Sequence, residues 1–179
     1  AYAAQAAVAL DNARRFALET AQRKQDEALA AVECALLGEL DSTRFLRLLV
    51  DSASKLFGAR AGVWLVPEEG VLVERLSSAP GSLSTGRVLF GEGMTGRCAA
   101  ARRGLLVPDY AGWAHALPSS VAAGLRHAMA QPLLVRSQLL GVITMSRIGP
   151  EAVPFTEDDL EALRRLGLQA AVAVHNTVL

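Results

Sequence analysis

Residues 130–147 read Ala130-Gln-Pro-Leu-Leu-Val-Arg-Ser-Gln-Leu-Leu-Gly-Val-Ile-Thr-Met-Ser-Arg147, and the fold turns on this stretch. Two runs rich in Leu, Val and Ile flank a polar interruption at Arg136, Ser137 and Gln138, the pattern of two antiparallel strands joined by a tight turn. Leu133, Leu134 and Val135 run without a polar break, and Val142, Ile143 and Met145 are nearly as continuous. Strands this apolar are covered on both faces, so the hairpin is expected in the middle of a sheet. The rest of the chain must supply the cover.

Outward from the hairpin, the elements fall into an α+β order. Towards the N-terminus lie an irregular stretch from Pro108 to Gly124, a strand at Leu105 to Val107, and a short helical run to Arg103 opened by Gly91-Glu-Gly-Met-Thr-Gly96. Before these come a short strand around Val88 to Phe90, a Ser/Gly/Pro-rich loop from Ser77 to Gly86, and a first hairpin, Ala61 to Val66 and Val71 to Leu76. A helix from Thr43 to Phe57 has N-cap chemistry at Asp41 and Ser42 and ends at Gly58, with Phe45, Leu48, Leu49, Ala53 and Leu56 on its apolar face. Beyond the central hairpin a Gly/Pro loop closes at Pro154. Thr156 then caps a last helix, with Asp159 completing a capping box. Paired strands joined by tight turns imply a central, largely antiparallel sheet with helices gathered on its faces.

Residues 1–41 are a separate segment, rich in Ala, Leu, Gln, Glu, Arg and Lys, free of Pro, and expected as one long connecting helix. Leu18, Gln22, Gln25, Leu29, Val32, Leu36 and Glu39 step by four and three, a heptad seam with polar members. Two readings stand: a parallel homodimer through this helix, or a single helix packing on its own domain. Gln5-Ala-Ala-Val-Ala-Leu-Asp-Asn12 resembles Gln169-Ala-Ala-Val-Ala-Val-His-Asn176, so the fragment is expected to start inside the closing helix of a preceding copy of the domain at 42–179.

The composition narrows the function. A 51% apolar content supports a real core, and 18 basic against 18 acidic residues leave no global field to recruit nucleic acid or an anionic membrane. Cys34 and Cys98 stand far apart with no Cys-x-x-Cys pair, which argues against a disulfide framework or zinc knuckle and for a reducing cytoplasm. No charge-free apolar run is long enough to span a bilayer, and no direct membrane contact is expected.

These pieces together resemble a GAF domain, the small-molecule sensor module of signalling proteins and phosphodiesterases. The resemblance lies in Gly91-Glu-Gly-Met-Thr-Gly96, Leu106-Val-Pro-Asp109, Leu125-Arg-His-Ala-Met-Ala-Gln-Pro-Leu-Leu-Val135, Leu140-Gly-Val-Ile143, Pro154-Phe-Thr-Glu-Asp-Asp-Leu160 and Gln169-Ala-Ala-Val-Ala173. It implies a central antiparallel sheet of about six strands with helices packed on its faces, and a ligand pocket between the sheet and the irregular segment. It also implies flanking helices that dimerise in parallel and carry the signal to an output domain outside the fragment, a histidine kinase as the first expectation, a cyclase or phosphatase otherwise. A structural dimerisation module with a filled pocket, and a haem-binding redox or gas sensor, are the alternatives.

Candidate ligand residues follow from the irregular stretch, which gathers aromatic and polar side chains in an otherwise aliphatic chain. Asp109, Tyr110, Trp113 and His115 are expected to reach a ligand from that side, Arg126, His127 and Met129 from the strand entry, and Thr144 from the sheet. Tyr110 and Trp113 equally suit a plug for the core. His115 and His127 raise haem ligation, but isolated histidines without a neighbouring Cys or carboxylate at ligand spacing are more often structural, and no metal site is assigned. Gly91-x-Gly93-x-x-Gly96 formally matches a dinucleotide fingerprint, yet a hairpin follows where a parallel crossover should, so the glycines are read as a tight strand-to-helix turn. Cyclic-nucleotide-binding members carry Asn-Lys, Phe and Asp-Glu where this chain has Ser146-Arg147, Phe155 and Asp159-Leu160, which argues against that ligand. Related free methionine sulfoxide reductases rely on several cysteines, and no catalytic constellation is legible here. The fragment is expected to be regulatory and not an enzyme, with ligand and cofactor unidentified.

Overall fold

In a computed structural model of the chain, residues 43–79 and 86–178 are described. The long N-terminal helix, its heptad seam and the first copy of the repeat lie outside the described residues.

A helix over residues 43–57 (α1) leads into β1 (Arg60–Glu68) and β2 (Val71–Ser77). Then come β3 (Arg87–Leu89), α2 (Gly93–Ala101), β4 (Leu105–Val107), α3 (Pro118–Ala122), the long pair β5 (Leu125–Val135) and β6 (Gln138–Ile148), and α4 (Glu157–Val178). The six strands form one sheet in the order β3-β2-β1-β6-β5-β4, every neighbouring pair antiparallel. The central hairpin therefore sits mid-sheet, as its unbroken apolar runs require. Its strands extend beyond 130–147, and Gln138 belongs to β6, so the turn is Arg136 and Ser137 alone, with Arg136 in the left-handed region.

Two cores cover the two faces. On one, Leu46, Leu49, Val50, Ala53 and Phe57 of α1 and Leu163, Ala170, Ala171 and Val174 of α4 pack with Val63, Met129, Leu133, Ile143 and Met145 of the sheet. On the other, Met94, Cys98 and Ala99 of α2 and Tyr110 of the following loop pack with Trp64, Leu72, Ala128, Ala130 and Val142. The stripe of α1 that is buried differs from the expected one: Phe45, Leu48 and Leu56 are 45%, 60% and 68% exposed. The helix has two adjacent apolar stripes, and the one at 46, 49, 50, 53 and 57, spaced by three and four, faces the core.

Local chemistry accounts for the joints. Thr156 and Asp159 form the reciprocal capping box at the start of α4, with Thr156 N–H donating to Asp159 Oδ2 (2.9 Å) and Asp159 N–H to Thr156 Oγ1 (3.2 Å). At the glycine turn, a Cβ on Gly96 would lie 2.0 Å from the Leu89 carbonyl oxygen, so α2 can start against β3 only with hydrogen there. Gly93 is left-handed (φ 54°) and abuts the Leu117 side chain. With every strand pair antiparallel, these glycines serve a turn and not a dinucleotide. The stretch expected to be irregular, 108–124, contains the short helix α3, started by Pro118.

Candidate ligand cavity

The sheet face opposite α1 and α4 carries a cavity of about 50 Å³, room for on the order of four water molecules. Its floor follows from strand alternation. Arg60, Gly62 and Trp64 of β1 point to this face, while the alternate Ala61 and Val63 are fully buried on the helix side. Across the ladder, Arg60 pairs with Ser146, Gly62 with Thr144 and Trp64 with Glu74. Opposite the floor, Tyr110, Leu117 and Ser120 of the 108–124 segment and Met94 and Thr95 of α2 close the space.

Bulges set which side chains arrive. Val63 pairs with Leu76 but Trp64 with Glu74, so Arg75 is an extra residue in β2. The bulge leaves Glu74 facing the cavity and turns Leu76 to the helix core, two side chains that plain alternation would put on one face. Arg126 is the extra residue of a second bulge, in β5, and this lets both Leu125 and Ala128 face the cavity-side core.

Gly62 makes the space. A Cβ there would stand 3.0 Å from Thr144 Oγ1, 3.2 Å from Glu74 Oε1 and 3.5 Å from Trp64 Nε1, so three polar groups converge on the missing side chain. The Thr144 hydroxyl accepts from Trp64 Nε1–H (3.3 Å) and donates to the Gly62 carbonyl (3.4 Å). Tyr110 hydroxyl accepts from the Leu117 N–H (3.3 Å), which anchors the lid. Burial pushes the Glu74 carboxyl above its ordinary value, partly offset by the attraction of Arg60.

Of the side chains expected at the site, the structure brings only Tyr110 and Thr144 to the cavity. Trp113 stacks outside, 5.8 Å between ring centroids from Tyr110 and 5.3 Å from His115, and His115 is exposed. Asp109 is exposed and accepts from the Gly112 N–H within its own turn (3.2 Å). Arg126, the bulged residue, turns to solvent. Met129 is fully buried in the α1/α4 core, because strand parity puts it on the other face. His127 shares that parity, with its two ring nitrogens at the carbonyl oxygens of Pro108 and Ala152. Neither His115 nor His127 presents a nitrogen to the cavity, so the residues do not fit an axially ligated haem. Among the described residues no cluster of His, Cys, Asp and Glu could hold a metal ion.

The residues missed on the sheet floor are Arg60, Gly62, Trp64, Glu74 and Ser146. A signal existed: a lone Gly inside a strand marks a close approach, and Arg and Glu in strands meant to be covered on both faces call for an explanation.

A family model described as GAF domain matches residues 41–174. No curated protein matches the chain significantly. Among solved structures, the free methionine-R-sulfoxide reductase of Neisseria meningitidis, in complex with its substrate, aligns at TM-score 0.62 and 22% identity over 73% of this chain and 77% of that one. The GAF domain/HD domain protein of Geobacter sulfurreducens aligns at 0.65 and 20% over 79% and 97%. The GAF-B domain of DevS from Mycobacterium smegmatis aligns at 0.59 and 23% over 75% and 93%. Identities this low establish a shared fold.

Proposed function

The chain belongs to the GAF domain family, and from that premise we propose that it is a small-molecule-sensing regulatory domain of a cytoplasmic signalling protein, with its ligand held in the cavity over Gly62. The observation that carries the reading is the floor itself: a glycine leaves room in the middle of a buried strand where a hydroxyl, a carboxylate and an indole N–H converge. A filled, purely structural pocket would place Tyr110, Trp113 and Met129 inside it. Tyr110 does line the cavity, but Trp113 lies outside and Met129 on the opposite face, which favours the sensor over the relay module without ligand.

The proposed output is a partner domain such as a histidine kinase, reached through the terminal helices of a homodimer. A ligand acts there only through different affinity for two helix arrangements. Catalysis of the sulfoxide-reductase kind requires an accessible thiolate; among the described residues the thiol is that of Cys98, which is fully buried and pushed up to about 12 by desolvation. We therefore assign the fragment a regulatory role and not an enzymatic one.

A thermal-shift screen of small metabolites against wild type and Gly62→Val tests the cavity. Compounds that raise the melting temperature of wild type and not of the variant are expected; hits that persist in Gly62→Val, or none at all, refute it. For the dimer, sedimentation of residues 42–179 should show mainly monomer where the full fragment is dimeric, and equal dimer populations would refute that part.

A further inference from the structure

We propose that the cavity takes a small zwitterion of the free amino acid kind, its ammonium held by Glu74 and its carboxylate by Arg60; this rests on the cavity being the ligand site. Two opposite charges line one cavity of about 50 Å³, yet neither side chain makes a hydrogen bond or ion pair among the described residues. Surface acids of the same domain behave differently: Glu68 is paired with Arg87 at 3.0 Å and Glu161 with Arg164 at 2.8 Å. Those pairs are exposed and gain little, whereas a charge withdrawn from water without a partner costs stability. An acid and a base kept apart where pairing would help most suit an occupant that brings both counter-charges.

The layout fits that occupant. Glu74 pairs across the ladder with Trp64 and leans over Gly62, 3.2 Å from where a Cβ would be, while Arg60 lies two residues back along β1. Two residues of strand span about 7 Å, so the Arg60 backbone is set back along β1 from the point over which Glu74 leans. Burial holds the Glu74 carboxyl above its usual range, and Arg60, the cation that shares the cavity, offsets this only in part. A lone anion would satisfy Arg60 but face Glu74, and a lone cation the reverse, so singly charged molecules are selected against. Val88, Met94 and Leu125 supply an apolar wall, and the volume limits a side chain to a small aliphatic one unless the 108–124 segment moves.

Calorimetric titration of the whole chain with the proteinogenic amino acids tests the assignment, with acetate and methylamine as singly charged probes. At least one small aliphatic amino acid should bind, its N-acetyl derivative and its methyl ester each at least tenfold more weakly, and Glu74→Gln and Arg60→Gln should each lower its affinity tenfold or more. The two derivatives test the charges on the ligand side even where a variant folds poorly. No binding by any amino acid, or equal binding by the derivatives, overturns the proposal. Ligands of other chemistry that Gly62→Val abolishes would keep the cavity as a ligand site and remove the zwitterion; an empty metabolite screen would remove both.

Discussion

Arg147 should be worth more to this fold than any surface charge. One guanidinium nitrogen donates to the Val153 carbonyl at 2.8 Å and the Pro154 carbonyl at 3.3 Å, the other to the Phe57 carbonyl at 2.7 Å, and the plane lies 4.0 Å from the Phe155 ring centroid. It thus ties β6 to the end of α1 and to the loop that enters α4. A hydrogen bond to a charged donor contributes about 1.5–3 kcal/mol where buried. Arg147 is half-buried, so water replaces part of each bond, and the ring contact adds about 0.5–1 kcal/mol. Arg147→Met, which keeps the apolar stem, should therefore lose about 2–3 kcal/mol, a fall in Tm on the order of 10 °C for a domain of this size. Arg147→Lys should recover less than half, because one ammonium cannot span carbonyls on two sides. The assay is urea and thermal denaturation followed by circular dichroism. A loss below about 0.5 kcal/mol for Arg147→Met, the range of an exposed ion pair, would refute the reasoning.

Gly96→Ala should cost about 3 kcal/mol or more in denaturant unfolding, since its Cβ would lie 2.0 Å from a backbone oxygen that has nowhere to go. In a Cys34→Ser background, native Cys98 should resist a thiol reagent at pH 8, where a group titrating near 12 is about 10⁻⁴ thiolate, and react fully in denaturant; rapid native labelling would contradict the burial. Glu74 is an acid whose folded pKa is raised, so its ionisation weakens the fold. Stability relative to Glu74→Gln should be level in acid, decline as pH rises from the ordinary 4.5 through the raised value, and then stay lower, as pH-resolved melting will show.

How much of this was legible in the sequence follows from what each signal encodes. Hydrophobic continuity in Leu133–Val135 and Val142–Met145 reports burial on both faces, and that placed the hairpin mid-sheet. The Thr156/Asp159 box is local chemistry and was read directly. The site was legible mainly as a region: a lid before the central hairpin, with Tyr110 and Thr144 in place. Side-chain direction was lost where β-bulges shift parity, since one extra residue reverses every later side chain until the register is restored. Arg126 left the site because it is itself the bulge, while Glu74 keeps the face of Leu72 and the bulge at Arg75 sends Leu76 to the helix core. Met129 was a plain error of parity, one residue from Ala128 and Ala130, which do face the cavity-side core.

The alternation of β6 gives the proposed relay a physical route. Thr144 and Ser146 line the cavity, Met145 between them is packed in the α1/α4 core, and Arg147 next along holds both α1 and the entry to α4. A ligand that draws on the Thr144 or Ser146 hydroxyls therefore acts on the strand whose opposite face sets the spacing of the two helices. Position alone does not make coupling, which is a free energy shared between two sites, typically 1–3 kcal/mol. Coupling through Arg147 demands that Arg147→Met change the affinity of a cavity ligand it never touches, by about fivefold or more at the lower end of that range. An unchanged affinity in a folded Arg147→Met would leave Arg147 a staple of the fold, and any signal would have to leave the cavity by another path.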